Sequence, residues 1–133
     1  MTDYIVSLDV GTTNVRSFIY NNNGVSIYTS TAPVDVLCPE PGASEIDPAA
    51  LWSSIHYVVS DVVNWARSKN LHLRGLGISL QRNTGTFWHA DSFKLLSNFI
   101  TWQDVRCKAD VIQANTSIRY VFKSFNTSRY ESS

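Results

Sequence analysis

The first stretch of the sequence that could do chemistry is a turn near the N-terminus that is rich in polar side chains. It contains a carboxylate, a glycine, three side chains with hydroxyl or amide groups and a guanidinium: Asp9, Gly11, Thr12, Thr13, Asn14 and Arg16. A carboxylate can hold Mg²⁺, a glycine lets backbone N–H groups come close to a ligand, and the other groups can bind phosphate oxygens. Phosphoryl transfer requires these groups. The alternative is an ordinary hairpin turn, in which Asp9 and the threonines bond only to the backbone.

A second group of polar residues lies further along the chain and is suited to a ligand with several hydroxyls. It consists of two amides, a guanidinium, an indole and a carboxylate: Gln81, Arg82, Asn83, Trp102 and Asp104. Arginine and amide side chains can hydrogen-bond vicinal hydroxyls, while a tryptophan can cover the apolar C–H face of a polyol. The alternative is a solvated surface loop, together with a core tryptophan at a helix start where Asp104 offsets the helix dipole.

Three strands are expected to position the first group. The segments Tyr4–Asp9, Val15–Tyr20 and Val25–Thr31 are rich in β-branched and aromatic residues, which favour strands. Asn23 and Gly24 stand before the third segment, and this pair is typical of hairpin turns because both residues tolerate positive φ. The chain is therefore expected to open with a three-stranded antiparallel meander.

A helix and a further strand are expected to lead to the second group. After a proline-rich loop over 32–42, Asp47 and Pro48 are a typical helix N-cap and first helical residue. Apolar residues then recur with helical spacing: Leu51, Ile55, Val58, Val59, Val62, Val63 and Ala66. The segment Leu73–Leu80 follows as a strand, and the second group begins where it ends. Ligand crevices of α/β sheets lie at such strand ends.

The rest of the chain carries a weaker pattern. Short strands are expected over Thr84–Trp88 and Phe99–Trp102, and a helix over Gln103–Ala114. Residues 116–133 show no periodicity and are expected to form an irregular tail. The order β-β-β-α-β predicts an α/β domain, which extends over residues 1–115.

The composition restricts the partners of the chain. Its 133 residues carry 11 Lys and Arg against 11 Asp and Glu, and this zero net charge argues against nucleic acid or an anionic membrane as a partner. No apolar run reaches the roughly 18 residues of a membrane span, and no secretory signal is recognisable. Cys38 and Cys107 form neither a metal-ligand spacing nor a disulfide framework. We therefore expect a cytoplasmic protein that acts on a small molecule.

Four motifs, in this order, resemble the N-terminal domain of the FGGY carbohydrate kinases. The family typically shows Asp-x-Gly-Thr-Thr, then Pro-Gly followed by Glu-x-Asp-Pro, then Gly-Ile-x-x-Gln-Arg-Glu-Thr, then Trp-Gln-Asp-x-Arg. The corresponding segments here are Asp9–Thr13, Pro41–Pro48, Gly77–Thr84 and Trp102–Arg106. The resemblance covers residues 4 to about 112. Within the family the sequence is most similar to glycerol kinase, in particular to the branch called glycerol kinase 5.

The resemblance implies an RNase H-like fold of the actin-like ATPase type, and transfer of the γ-phosphate of ATP to a polyol hydroxyl. It also implies that ATP and Mg²⁺ are bound, with Asp9 near the metal, where it helps to position the phosphates. The residues implied to contact the nucleotide phosphates are Gly11, Thr12, Thr13, Asn14 and Arg16. Those implied to bind the substrate are Gln81, Arg82, Asn83, Trp102 and Asp104. Where the family has a glycerol-binding glutamate, this sequence has Asn83, which lacks the charge of a carboxylate.

The same resemblance implies that a kinase of this family is longer than this chain. The family's catalytic aspartate, which takes the hydroxyl proton, lies much further along, so the 133 residues are expected to be the leading part of a kinase and inactive alone. Two alternatives remain. One is a non-catalytic truncated isoform or fragment with at most residual phosphate or polyol binding, and the other is a fragment of an Hsp70-like or actin-like ATPase, which shares the first motif. The resemblance also allows a homo-oligomer in the full-length form.

Overall fold

The computed structural model describes residues 3–116 and has an α/β fold. Its helix and strands are β1 (Asp3–Val10), β2 (Asn14–Tyr20), β3 (Ser26–Pro33), β4 (Glu45–Ile46), α1 (Pro48–Ser68), β5 (His72–Leu80) and β6 (Phe99–Ile100). Residues 108–116 are also helical. The expected irregular tail over 116–133 lies outside the described residues from position 117 onwards. No helix in the described part of the chain is long and apolar enough to cross a membrane.

The main sheet has four strands in the order β3-β2-β1-β5. Strands β1, β2 and β3 pair antiparallel in succession, which confirms the predicted meander, and β5 returns parallel to β1. A parallel return requires a crossover connection, and α1 provides it. The ends of β1 and β5 therefore lie side by side, with Val10 paired to Leu80.

The turn and the helix start are formed by the residues that the sequence indicates. Gly24 has a φ of 74°, and the Asn21 carboxamide oxygen accepts hydrogen bonds from the N–H groups of Asn23 and Val25. Asp47 caps α1, because its carboxylate accepts a hydrogen bond of 2.7 Å from the N–H of Ala50. These local interactions fix the hairpin and the entry into α1.

The hydrophobic core lies between α1 and one face of the sheet. The helix packs on β2 and β3, and its buried side chains are Leu51, Val58, Val62 and Ala66. Alternate residues of the strands meet them from the sheet: Val6, Leu8, Val10, Val15 and Ile19. Because side chains alternate across a strand, Asp9 and Arg16 lie on the opposite face of the sheet.

The helix does not cover β5. Leu76, Ile78 and Leu80 pair with the buried residues of β1 and lie on the same face as the core, yet more than half of each side chain is exposed. The apolar surface of the core thus continues across β5 as an open stripe. An unpaired strand edge beside such a stripe favours association with further chain.

Several boundaries differ from those expected. The segment Thr84–Trp88 is not a strand, since only Gly85 and Trp88 form isolated bridges. Its threonine and aromatic residues favour strands, but the opposing segment pairs with it at single points only. The expected strand Phe99–Trp102 is limited to β6, because the chain turns at residues 102–103, directly after Thr101 donates to the Ser44 carbonyl.

Two further differences concern the loop and the last helix. The loop expected over 32–42 begins later, since β3 continues to Pro33, and it is followed by the short strand β4, which was not predicted. Helical structure at the end of the described chain begins at residue 108 rather than at Gln103, because turns occupy residues 102–103 and 106–107. The new strand β4 pairs antiparallel with β6 in a separate two-stranded sheet.

Among residues 3–116, one buried polar side chain of the core has no hydrogen-bond partner. Ser17 on β2 is fully buried, and its hydroxyl makes no hydrogen bond. We expect Ser17→Ala to raise the free energy of unfolding by about 1 kcal/mol, because alanine removes the cost of an unsatisfied hydroxyl and keeps the size of the side chain. Urea unfolding of the 133-residue chain measures this change, with the exposed Ser26→Ala as the control. Destabilisation by Ser17→Ala would show that the hydroxyl has a partner.

Candidate functional site

The two groups of polar residues meet at the carboxyl ends of β1 and β5. Gln81 continues the ladder between these strands, since its N–H donates to the Val10 carbonyl at 3.1 Å. The Thr12 hydroxyl donates to the Gln81 side-chain oxygen, also at 3.1 Å. The residues implied to contact phosphate and those implied to bind a polyol therefore form one continuous site.

Trp102 joins this site through the same threonine. Its indole N–H donates to the Thr12 hydroxyl at 3.1 Å, across 90 positions of sequence. The Thr84 hydroxyl donates to the Gln81 side-chain oxygen at 3.1 Å. The side-chain oxygen of Gln81 thus accepts two hydrogen bonds and is saturated, so its amide N–H₂ is the group left to face a ligand.

An open pocket of about 610 Å³ lies beside these hydrogen bonds. It is lined by Gln81, Arg82, Asn83 and Trp102. The structure therefore brings together four of the five residues expected to bind the substrate, and the size of the pocket is within the range of small-molecule sites. Asn83 adopts a φ of 57°, a left-handed conformation that asparagine tolerates better than most residues.

The turn over residues 11–14, called the phosphate turn because the sequence predicts that it binds phosphate, is closed by its own backbone. The Gly11 N–H donates to the Asn14 carbonyl at 3.0 Å, and the Asn14 amide donates to the Thr13 hydroxyl at 3.2 Å. The backbone N–H groups of Thr12 and Thr13 make no hydrogen bond to another residue within 3–116. Two free N–H groups beside two hydroxyls are suited to anionic oxygens.

Gly11 is required by the shape of this turn. A Cβ atom at this position would lie 2.9 Å from the Asn14 carbonyl oxygen, which is part of the backbone. We expect Gly11→Ala to lower the free energy of unfolding by about 1–3 kcal/mol, because the methyl group forces the turn apart. Urea unfolding tests this, and Gly77→Ala is the matched control, since a Cβ there meets nothing within 4 Å. An equal effect of both substitutions would contradict the closed turn.

Asp9 and Arg16 lie beside the turn on the face of the sheet opposite α1. They are paired in the register of β1 and β2, and Asp9 is also paired with Ser79 of β5. No ion pair within 4.0 Å joins Asp9 or Arg16 to any residue in the described part of the chain. Both charged groups are therefore available to a ligand.

The donor set fits a magnesium ion that is bound largely through a nucleotide. Residues 3–116 contain no group of three or more side chains of the His, Cys, Asp or Glu type that could hold a metal by themselves. Mg²⁺ in nucleotide sites is commonly held by one or two carboxylates plus phosphate oxygens. Asp9, unpaired and next to the free N–H groups of the turn, provides one such carboxylate.

Asp104 has a different environment from the other residues of its group. Its side chain is 7% exposed, and its carboxylate accepts hydrogen bonds from the Ser44 N–H at 3.0 Å and from the Arg106 guanidinium at 2.7–2.9 Å. Asp104 does not line the pocket in the described part of the chain. Its geometry is that of a residue that positions the loop carrying Trp102.

Arg106 is the centre of an ion-pair network that sequence reasoning did not assign to the site. Besides Asp104, its guanidinium binds Glu40 at 3.0 Å and Glu45 at 2.7 Å. Asn98 donates to the second carboxylate oxygen of Glu45 at 3.0 Å. The network joins β4 and the loop before it to the segment after β6, which carries Trp102.

The network shifts the pKa values of its members. The guanidinium of Arg106 and the N–H of Ser44 lower the pKa of Asp104 from 3.8 to about 2. Hydrogen bonds from Asn98 and Arg106 lower the pKa of Glu45 below its ordinary value, and the three carboxylates raise the pKa of Arg106. The sequence did signal these residues, since Glu45 and Arg106 lie in two of the conspicuous motifs.

The chain is similar to known carbohydrate kinases. Residues 4–127 match the N-terminal domain of the FGGY family of carbohydrate kinases. A glycerol kinase 5 from Gallus gallus is 39% identical over 118 residues, which are 86% of this chain and 22% of that protein. A glycerol kinase from Aquifex aeolicus (strain VF5) is 34% identical over 102 residues, or 77% and 20% of the two chains. The chain thus spans about a fifth of the length of these relatives.

Solved structures of sugar kinases share the fold. The Plasmodium falciparum glycerol kinase with ADP superposes with a TM-score of 0.78 at 23% identity, over 86% of this chain and 23% of that one. The gluconate kinase from Lactobacillus acidophilus gives 0.75 at 24% identity, over 88% and 23%. The expected α/β fold of the actin-like ATPase type is therefore confirmed.

Proposed function

Because the chain belongs to the FGGY family of carbohydrate kinases, we propose that it is the N-terminal portion of an ATP-dependent polyol kinase of glycerol kinase type. Such an enzyme transfers the γ-phosphate of ATP to a polyol hydroxyl. The observation that carries this proposal is the hydrogen-bond chain from Trp102 through Thr12 to Gln81. It places the side chains suited to a polyol next to the turn suited to phosphate, as a transfer between two ligands requires.

Within this proposal each group of residues has a defined role. Thr12, Thr13, Asn14 and Arg16 bind nucleotide phosphates, supported by the two free N–H groups of the turn. Asp9 holds Mg²⁺ together with the phosphates and so helps to neutralise their charge. A relative that contains bound ADP, the Plasmodium falciparum glycerol kinase, supports an adenine nucleotide as the phosphate donor.

The polyol is bound in the pocket beside Gln81. Arg82 and Asn83 hydrogen-bond its hydroxyls, and Trp102 covers its C–H face. Asp104 acts indirectly. Its carboxylate is bound by Arg106 and by the Ser44 N–H, and it positions the loop that carries Trp102. The pocket supports these roles, because its four lining residues are Gln81, Arg82, Asn83 and Trp102.

We further propose that the 133-residue chain alone does not catalyse the transfer. It spans about a fifth of the length of its relatives. Within residues 3–116, the two groups of polar residues contain two carboxylates, and of these only Asp9 makes no ion pair. Binding groups without a base near the attacking hydroxyl and without closure around it do not assemble the reactive geometry.

The decisive experiment compares the chain with a longer form that carries the remainder of a kinase. Each is incubated with ATP, Mg²⁺ and glycerol, and the release of ADP is measured. The longer form is expected to release ADP in a glycerol-dependent manner, while the 133-residue chain releases none above background. ADP release by the short chain would contradict its inactivity. If neither form released ADP with glycerol or with other polyols offered in its place, the proposed kinase would be contradicted.

The second candidate is a non-catalytic truncated isoform or fragment that only binds phosphate or a polyol. The observation that favours it is the short span of the chain relative to its kinase relatives. The two candidates differ in the mass of the protein in the cell. An antibody against residues 4–112 that detects only a species of about 15 kDa supports the fragment, since the chain has a mass of 14.9 kDa. A species several times larger supports the kinase.

A further inference from the structure

The substrate pocket is rich in hydrogen-bond donors and poor in acceptors. The oxygen of the Gln81 side chain is saturated by two hydroxyls, so that only its N–H₂ group remains for a ligand. The guanidinium of Arg82 makes no ion pair or hydrogen bond with any other residue in the range 3–116. It can therefore offer five N–H groups and a full positive charge.

No carboxylate in the described residues offsets that charge. Asn83 is neutral, and its side chain also makes no hydrogen bond with another residue of this range, so it adds an amide N–H₂ and one amide oxygen next to Arg82. The Asp104 carboxylate is directed to Arg106 and to the Ser44 N–H instead of the pocket. A neutral polyol would meet donors that outnumber acceptors, because the carboxamide oxygen of Asn83 is the one side-chain acceptor that the four lining residues leave free for several hydroxyl protons.

We propose that the preferred substrate carries a carboxylate beside its hydroxyls, so that the pocket selects a hydroxy acid over a neutral polyol. The carboxylate is bound by the guanidinium of Arg82 and the amide of Asn83, since charge-assisted hydrogen bonds are about twice as strong as neutral ones. Trp102 covers the carbon chain of the substrate. The hydroxyl at the end of the substrate away from the carboxylate then lies toward the phosphate turn, because Trp102 is hydrogen-bonded to Thr12 of that turn. This inference rests on the proposed kinase function and specifies the substrate of the same site.

The test compares two ligands with the same three-carbon skeleton, D-glycerate and glycerol, and uses propionate as a control. The full 133-residue chain is titrated calorimetrically with D-glycerate and with glycerol at low salt, and with propionate as a carboxylate that lacks hydroxyls. We expect the dissociation constant for D-glycerate to be about 10-fold lower than that for glycerol, and to rise with added NaCl because the interaction is ionic. Propionate is expected to bind more weakly than D-glycerate, since it cannot bond to the remaining amide groups.

Two variants test the residues that make the distinction. Asn83→Asp has the same shape and the same tolerance of a left-handed backbone, but it places a carboxylate beside Arg82, and it is expected to reverse the preference in favour of glycerol. Arg82→Gln is expected to abolish the preference. The exposed Arg67→Gln removes the same charge at the end of α1, far along the chain from the pocket, and is the control. Circular dichroism confirms that each variant is folded.

Each outcome decides the proposal. Glycerol binding as tightly as D-glycerate, or propionate binding as tightly as D-glycerate, overturns the selection of a hydroxy acid, and so does the absence of binding of all three ligands. None of these results bears on the release of ADP by a longer form with other polyols, which tests the kinase separately. If ADP is never released but D-glycerate binds selectively, the kinase proposal fails and the ligand assignment stands.

Discussion

Replacing Asp9 with alanine in a longer, active form is expected to lower kcat on the order of 100-fold or more, while the dissociation constant of the polyol stays within a few-fold. The carboxylate lies at the end of β1 next to the phosphate turn, and it makes no ion pair with another residue of the described part of the chain. In the proposed function, its removal would take away a ligand for Mg²⁺ and leave the residues that line the pocket beside Gln81 unchanged. The loss should therefore appear in turnover and in the Mg²⁺ concentration required for half-maximal rate.

Steady-state ADP release at varied Mg²⁺ measures the first effect, and calorimetric titration with the polyol measures the second. Asp91→Ala is the matched control, because Asp91 is an exposed aspartate without an ion pair within residues 3–116. An Asp9→Ala variant with unchanged turnover would remove Asp9 from the metal site. A variant whose polyol affinity falls as far as its turnover would show that Asp9 supports the pocket instead.

The parts of the fold that depend on local interactions could be predicted from the sequence. The meander, the Asn-Gly turn and the Asp47 cap are each determined within a few residues, and the structure confirms them. The segment 84–88 could not be predicted in this way, because its strand-favouring residues form a strand only if a partner runs alongside. The chain opposite offers only two isolated bridges, at Gly85 and Trp88.

The candidate site could likewise be predicted only in part from the sequence. The two polar groups could be recognised by residue type, but their contact through Thr12 depends on the parallel pairing of β1 with β5 and on a hydrogen bond across 90 positions. The environment of Asp104 could not be read from its motif either. Asp104 faces an arginine that is also bound by Glu40, in the loop before β4, and by Glu45, in β4 itself, and both lie more than 60 positions from Arg106.

Replacing Arg106 with glutamine is expected to lower the melting temperature at pH 7 by several degrees, more than any other surface arginine. The guanidinium bonds to three carboxylates at 2.7–3.0 Å, and one of them, Asp104, is almost buried. Without Arg106 these carboxylates repel one another, and Asp104 retains only the N–H groups of Ser44 and residue 106 as donors. The loop that holds Trp102 against Thr12 then loses its attachment to the segment before β4.

The pH dependence distinguishes this mechanism from a general loss of charge. In the wild type the pKa of Asp104 is lowered from 3.8 to about 2, and that of Glu45 is also lowered, so their stabilisation is present above about pH 4.5 and is lost as the pH falls toward 2. In Arg106→Gln the clustered carboxylates favour protonation, so acidification from pH 7 to 4 should relieve their repulsion. The difference in melting temperature is therefore largest at neutral pH and shrinks toward pH 3. Melting curves at several pH values test this, with Arg67→Gln as the control. A difference in melting temperature between wild type and Arg106→Gln that is constant with pH would mean that Arg106 does not stabilise the ionised form of the three carboxylates.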